Sequence, residues 1–105
     1  MASPLLHKRA VVTGGTRGIG RAIAEALLAE GAHVTLCGRT PESTAIALAE
    51  LATPNAHGIA ADVTSEADTN RLFDFAAEKM GGVDILIANA GIRGEFQIPP
   101  DKALA

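Results

Sequence analysis

Tryptophan and tyrosine are both missing from this chain, and phenylalanine occurs only three times among 105 residues. The lack of tyrosine removes the phenol as a general acid anywhere in the sequence. Cysteine appears once, at Cys37, so no internal disulfide can form and a disulfide-stapled secreted scaffold is excluded. No apolar run approaches the roughly 20 residues that cross a bilayer, and residues 1–8 hold no hydrophobic stretch of signal-peptide length. The expectation is a soluble, cytoplasmic chain with no membrane partner. Basic residues are scattered and the net charge is −3, which argues against nucleic acid, whose phosphates call for a concentrated basic face. His7, His33 and His57 have no cysteine or acidic pair at ligand spacing, so no metal is expected. Cys37 has no neighbouring base and reads as a small hydrophobe near the end of a buried strand.

What is present is a core. Hydrophobic residues make up 48% of the chain, enough to favour a packed domain over disorder. Short β-branched runs alternate with longer amphipathic stretches, and there are no repeats or low-complexity tracts. Residues 9–13 read as a first strand ended by Gly14 and Gly15. A helix follows from Gly18, with Ile19, Ile23 and Leu27 as its apolar stripe, Arg21 and Glu25 one turn apart on the exposed side, and Gly31 at its end. Residues 33–37 form a second strand.

Thr40 and Pro41 are an N-cap and a first-turn proline opening a second helix, with Ala45, Leu48, Ala49 and Ala52 as its buried face and Pro54 as its stop. Residues 58–61 make a third strand. Ser65 and Asp68 resemble a capping box at the start of a third helix, which continues through Leu72, Phe75, Ala76 and Lys79 and closes at Gly81 and Gly82. Residues 83–88 are the fourth strand and the most hydrophobic run. Asp74, Glu78 and Asp84 read as solvated positions. The pattern is lost after Gly91, and residues 92–105 form a tail that aligns with no element. The fold class is therefore α/β, a partial doubly wound parallel sheet built β-α-β-α-β-α-β with strand order 3-2-1-4, in one domain spanning residues 1–105.

Residues 13–20, Thr-Gly-Gly-Thr-Arg-Gly-Ile-Gly, join the first strand to the first helix. Glycine suits this place because the strand must turn sharply and because a Cβ would hold a pyrophosphate away from the backbone. The helix N-terminus then offers free N–H groups and a partial positive charge to the anion. Glycines at such a turn can also be purely structural, but the strand–turn–helix context needed for a phosphate cradle is complete.

Gly14, Gly18 and Gly20 follow G-x-x-x-G-x-G, not G-x-G-x-x-G. Together with Asp62-Val63 after the third strand and Asn89-Ala90-Gly91 at the end of the fourth, this resembles the short-chain dehydrogenase/reductase family. The resemblance covers about residues 8–92, and is closest in tone to the 3-oxoacyl-carrier-protein reductase branch. It implies the first half of a Rossmann domain, with the second half of the sheet missing from the chain.

The second strand ends Cys37-Gly38-Arg39-Thr40, with no acid before Glu42. An acidic residue there would hold the ribose 2′-OH of NAD, whereas a guanidinium suits the 2′-phosphate of NADP. Arg17 in the glycine loop resembles the second basic residue of NADP-preferring members, so NADP is expected over NAD. The same resemblance assigns cofactor contacts to Gly14, Thr16, Arg17, Gly18, Ile19, Gly20, Arg39 and Thr40. Asp62 would accept from the adenine amino group, Val63 would pack on the ring, and Asn89, Ala90 and Gly91 would line the nicotinamide ribose. For Asn89, bonding backbone across the sheet is an equal alternative.

The resemblance also implies hydride transfer between nicotinamide and a small carbonyl or alcohol substrate, with a Ser and a Tyr-x-x-x-Lys as the proton-transfer machinery. None of these maps onto this chain, so no catalytic residue is assigned and the chain alone is expected to be inactive. A non-catalytic nucleotide-binding or interaction module, or a non-functional fragment, is the competing reading. The apolar fourth strand at an open edge leads to the expectation of self-association, or of a complementary half.

Overall fold

A computed structural model describes residues 4–89 of the chain. Four strands, β1 (Arg9–Thr13), β2 (His33–Gly38), β3 (Ala56–Ala60) and β4 (Ile85–Ala88), alternate with three helices, α1 (Gly18–Ala29), α2 (Pro41–Leu51) and α3 (Glu66–Met80). The sheet is parallel throughout, in the order β3-β2-β1-β4. This is the doubly wound arrangement expected from the pattern. Chain order moves outward from β1 through β2 to β3, then returns to the other side of β1. The carboxyl ends of β1 and β4 therefore flank the point where the winding reverses, where such sheets open a crevice.

Both faces of the sheet are covered, which is why the strands read as near-continuous apolar runs. Val11 and Cys37 face α3, in a core completed by Ala61, Leu72, Phe73, Ala76 and Val83. Ala10, Val12 and Val34 face α1 and pack with Ala24, Leu27 and Leu28. On that same face α2 lies close to β3, since a Cβ at Gly58 would fall 2.8 Å from Thr44 Cγ2 and 3.2 Å from Leu48 Cδ1. Arg21 of α1 reaches Glu50 of α2 at 3.0 Å and ties the two helices side by side.

Several expectations about helix faces need correction. Ile19 is 74% exposed, and α1 instead turns Gly20 and Ala24 inward. Its rotation is set where the helix meets the glycine turn, because only a residue without a side chain fits there. In α2 the buried positions are Thr44 and Ala47, with Leu48 half-buried, while Ala45, Ala49 and Ala52 are exposed. Thr44 can be buried because its hydroxyl donates to Thr40 O at 3.0 Å. In α3 it is Phe73 that fills the core, and Phe75 is half-buried with Lys79 Nζ 5.7 Å from its ring centre.

The caps follow the sequence more closely. Thr40 Oγ1 accepts from Ser43 N at 3.1 Å, and Ser65 Oγ accepts from Asp68 N at 3.2 Å. The capping box is not reciprocal, however. Asp68 accepts from Asp62 N at 2.8 Å, and Ser65 N donates to Asp62 O. The third strand begins two residues earlier than expected and ends one earlier. The fourth starts at Ile85, after Val83 has entered the core as a loop residue.

Asp84 is not simply solvated. Its carboxylate takes a forked pair of bonds from Arg9 Nε at 2.9 Å and Nη2 at 3.0 Å, and a third from Arg9 N at 2.9 Å. Arg9 Nη1 also donates to Gly81 O. This clamp fixes the start of β4 beside the start of β1 and so sets their register. The Arg9 hydrogen bonds hold the Asp84 carboxyl below the usual carboxylate range. Among the described residues no helix is long and apolar enough to cross a membrane.

Candidate cofactor site

The carboxyl ends of β1, β2 and β3 open into a cleft of about 410 Å³. From the expected set, Gly14, Thr16, Arg17, Arg39, Thr40, Asp62 and Val63 all line it. Residues separated by up to 49 positions in sequence are thus brought to one opening, because parallel strands deliver every strand-to-helix turn to the same end of the sheet.

Its floor is the glycine turn. Gly14 and Gly18 hold φ values of 65° and 64°, in the left-handed region that only glycine enters without strain. A Cβ on Gly18 would meet nothing within 4 Å, so this glycine is required by its backbone and not by crowding, and it is not among the residues that line the cleft. Gly20 serves a different purpose. A Cβ there would overlap the Gly14 carbonyl oxygen and lie 2.6 Å from Asn89 Nδ2, so α1 is seated directly on the turn and on the end of β4.

Asn89 makes this junction. Its N–H donates to Thr13 Oγ1 at 2.9 Å, and its side-chain amide donates to Gly14 O at 3.3 Å. The backbone-bonding reading of Asn89 thus describes its contacts, and Asn89 stands beside the turn it supports. Ala90 and Gly91 lie outside the described residues, as does the tail, residues 92–105.

The N-terminus of α1 differs from the other two. Arg17 at its N-cap is extended and makes no side-chain capping bond, and its first turn holds no acid. By contrast Thr40 and Ser65 cap α2 and α3, whose first turns carry Glu42 and Glu66 with Asp68. The N–H groups and positive dipole end of α1, without a side-chain cap from Arg17, are suited to an anion. Arg17 stands exposed at the same turn, and Ile19 lies exposed beside it.

At the far side, Arg39 and Thr40 follow β2. Arg39 is exposed, and its charge helps to lower the Asp62 carboxyl across the cleft. The largest cause of that lowering is the Thr64 hydroxyl, followed by the Thr64 N–H, which donate to Asp62 Oδ1 at 2.6 Å and 2.9 Å.

Gly38, Ser43 and Thr64 also line the cleft and were not anticipated. The signal for Thr64 was present, since Asp-x-Thr is the spacing of a side-chain-bonded turn. Ser43 could have been reached from the cap, lying three residues after Thr40. Cys37 sits under the cleft but is only 1% exposed. Burial pushes its thiol up, only partly offset by the Gly14 N–H, so it remains a protonated packing residue. His7 and His33 stack at 6.5 Å, and no group of three potential metal ligands gathers among the described residues.

A family model described as short chain dehydrogenase matches residues 8–103. The oxidoreductase asL5 of Sarocladium schorii is 42% identical over 87 residues, covering 83% of this chain and 34% of that protein. A 3-oxoacyl-[acyl-carrier-protein] reductase of Aquifex aeolicus is 40% identical over 95 residues, covering 88% and 38%. Among solved structures, the apo form of glucose dehydrogenase from Caenorhabditis elegans superposes with a TM-score of 0.78 at 34% identity, covering 86% of this chain and 40% of that one. The chain thus spans between a third and two fifths of the length of these relatives.

Proposed function

Because this chain belongs to the short-chain dehydrogenase family, whose members bind nicotinamide dinucleotides, we propose that it is the NADP(H)-binding portion of an oxidoreductase acting on a carbonyl or alcohol. The observation that carries the NADP reading is the pair of arginines at the cleft, Arg17 at the glycine turn and Arg39 after β2, with no acid at the end of β2. An acid there would repel a 2′-phosphate, whereas a guanidinium offers it a fork of charged donors.

The rest of the cleft fits the same ligand. The uncapped start of α1 receives the pyrophosphate. Val63 and the Asp62 carboxylate take the adenine end, while Asn89 stands by the nicotinamide ribose. When bound, the nicotinamide supplies or accepts the hydride. The protein's part along this chain is to hold and orient the dinucleotide. No phenol is present along it to pass a proton to a substrate, since the chain contains no tyrosine.

The test is a calorimetric titration of the chain with NADPH and, in parallel, NADH. Saturable binding that favours NADPH by at least about tenfold, with the preference lost in Arg39→Asp, is the expected result. Equal affinity for the two dinucleotides, or a preference that survives Arg39→Asp, refutes the NADP assignment.

A further inference from the structure

The turn between β3 and α3 is bonded more tightly than a connecting loop requires. Asp62 N donates to Asp68 Oδ2 at 2.8 Å, and Asp68 is in turn paired with Arg71 at 3.4 Å. Arg71 Nη2 also donates to Ala60 O at 2.8 Å, the last residue of β3. Ser65 N donates to Asp62 O at 3.0 Å, and Thr69 Oγ1 to Val63 O at 3.4 Å. The backbone of residues 62 and 63 is thereby fastened to the first turns of α3.

What remains to be fixed is the direction of the Asp62 carboxylate. Both donors of Thr64 converge on a single oxygen, Oδ1, the hydroxyl at 2.6 Å and the N–H at 2.9 Å. Oδ2 makes no hydrogen bond among the described residues, on a side chain that is exposed and lines the cleft. Two donors on one oxygen remove the rotation about the terminal carboxylate bond, which is otherwise broad. They also keep the group ionised, so that it can only accept.

We propose that Thr64 is a positioning residue for cofactor selection: by holding Oδ1 it presents Asp62 Oδ2 as a pre-oriented acceptor for the exocyclic amino group of an adenine dinucleotide. This rests on the cofactor reading above and deepens it, because it assigns base selectivity to a side chain outside the glycine turn. A threonine is suited to the task, since it adds a hydroxyl donor two residues from the aspartate while its own N–H supplies the second bond. Preorganising the acceptor spares the ordering cost that a freely rotating carboxylate would meet on binding.

The experiment titrates the wild-type chain, Thr64→Val and Thr64→Ser with NADPH and with its deamino analogue, in which hypoxanthine replaces adenine and the amino donor is gone. The wild type is expected to bind NADPH more tightly than the analogue. Thr64→Val is expected to lose about tenfold in NADPH affinity, to leave the analogue unchanged, and to let the Asp62 carboxyl titrate higher by NMR. Thr64→Ser, which retains the hydroxyl, is expected to restore NADPH binding. Equal weakening of both dinucleotides in Thr64→Val, or no weakening of either, overturns the positioning role while leaving the cofactor site intact. Failure of the wild-type chain to bind NADPH at all overturns the cofactor reading and this inference with it.

Discussion

Replacing Gly20 by alanine is the sharpest probe of how the glycine turn is built. The added Cβ would overlap the Gly14 carbonyl oxygen and lie 2.6 Å from Asn89 Nδ2, where carbon–oxygen contacts normally begin at about 3.3 Å. Neither neighbour yields easily. Gly14 is held in a left-handed turn, and Gly15 N is bonded to Cys37 O at 3.1 Å. The helix would have to lift off the turn, losing the Asn89–Gly14 bond. Overpacking of this kind costs about 1–3 kcal/mol and the lost hydrogen bond about 1 kcal/mol. Alanine's better helix propensity returns about 1 kcal/mol.

The net cost is about 2 kcal/mol, which lowers the melting temperature of a domain this size by roughly 10 °C. The measurement is a thermal melt followed by far-UV circular dichroism. Gly18→Ala serves as a control, because it has the same chemistry but meets open space. Its cost comes only from a positive φ and is about 1 kcal/mol. A Gly20→Ala midpoint within about 2 °C of the parent, or a Gly18→Ala protein less stable than Gly20→Ala, would refute the close-packing argument.

Two further predictions concern the sheet. Thr35 is fully buried and its Oγ1 has no hydrogen-bond partner among the described residues, so Thr35→Val, of equal shape, is expected to stabilise the domain by about 1 kcal/mol in urea unfolding; a lower midpoint would contradict this. Asp84→Asn is expected to cost about 1 kcal/mol at pH 7, a modest value because both side chains are about a quarter exposed. Since Arg9 depresses the folded Asp84 carboxyl below its ordinary 3.8, the contribution is complete above that value and is lost as pH falls through the folded one. The gap between parent and variant should therefore close on acidification, and a gap unchanged from about pH 7 to 2 would rule the clamp out as its source.

Element identity and order were determined by the sequence alone, because they depend on short-range chemistry. The β-branched runs, the Thr40-Pro41 and Ser65 caps, and the Gly81 stop each act within a few residues. The caps and the stop formed where the sequence placed them, although Asp68 bonds Asp62 N and leaves the capping box open. The parallel order 3-2-1-4 also followed, since alternating strands and helices leave few ways to cover both faces of a sheet. Most of the cleft was legible for the same reason: most lining residues belong to strand-to-helix turns, and a parallel sheet gathers those turns at one end.

Which face α1 and α2 bury was legible only in part, through Leu27 and Leu48. Counting apolar residues put Ile19 and Ala45 inward, whereas Gly20 and Thr44 take those places. Hydrophobicity records what a side chain would gain by burial, but not how near the backbones approach, and here that approach decided the rotation of both helices. Asp84 was likewise an ordinary polar residue in one dimension. Only tertiary structure placed it against Arg9, 75 residues away. A hydrogen bond needs direction as well as residue type, and that direction is set by elements the local sequence does not contain.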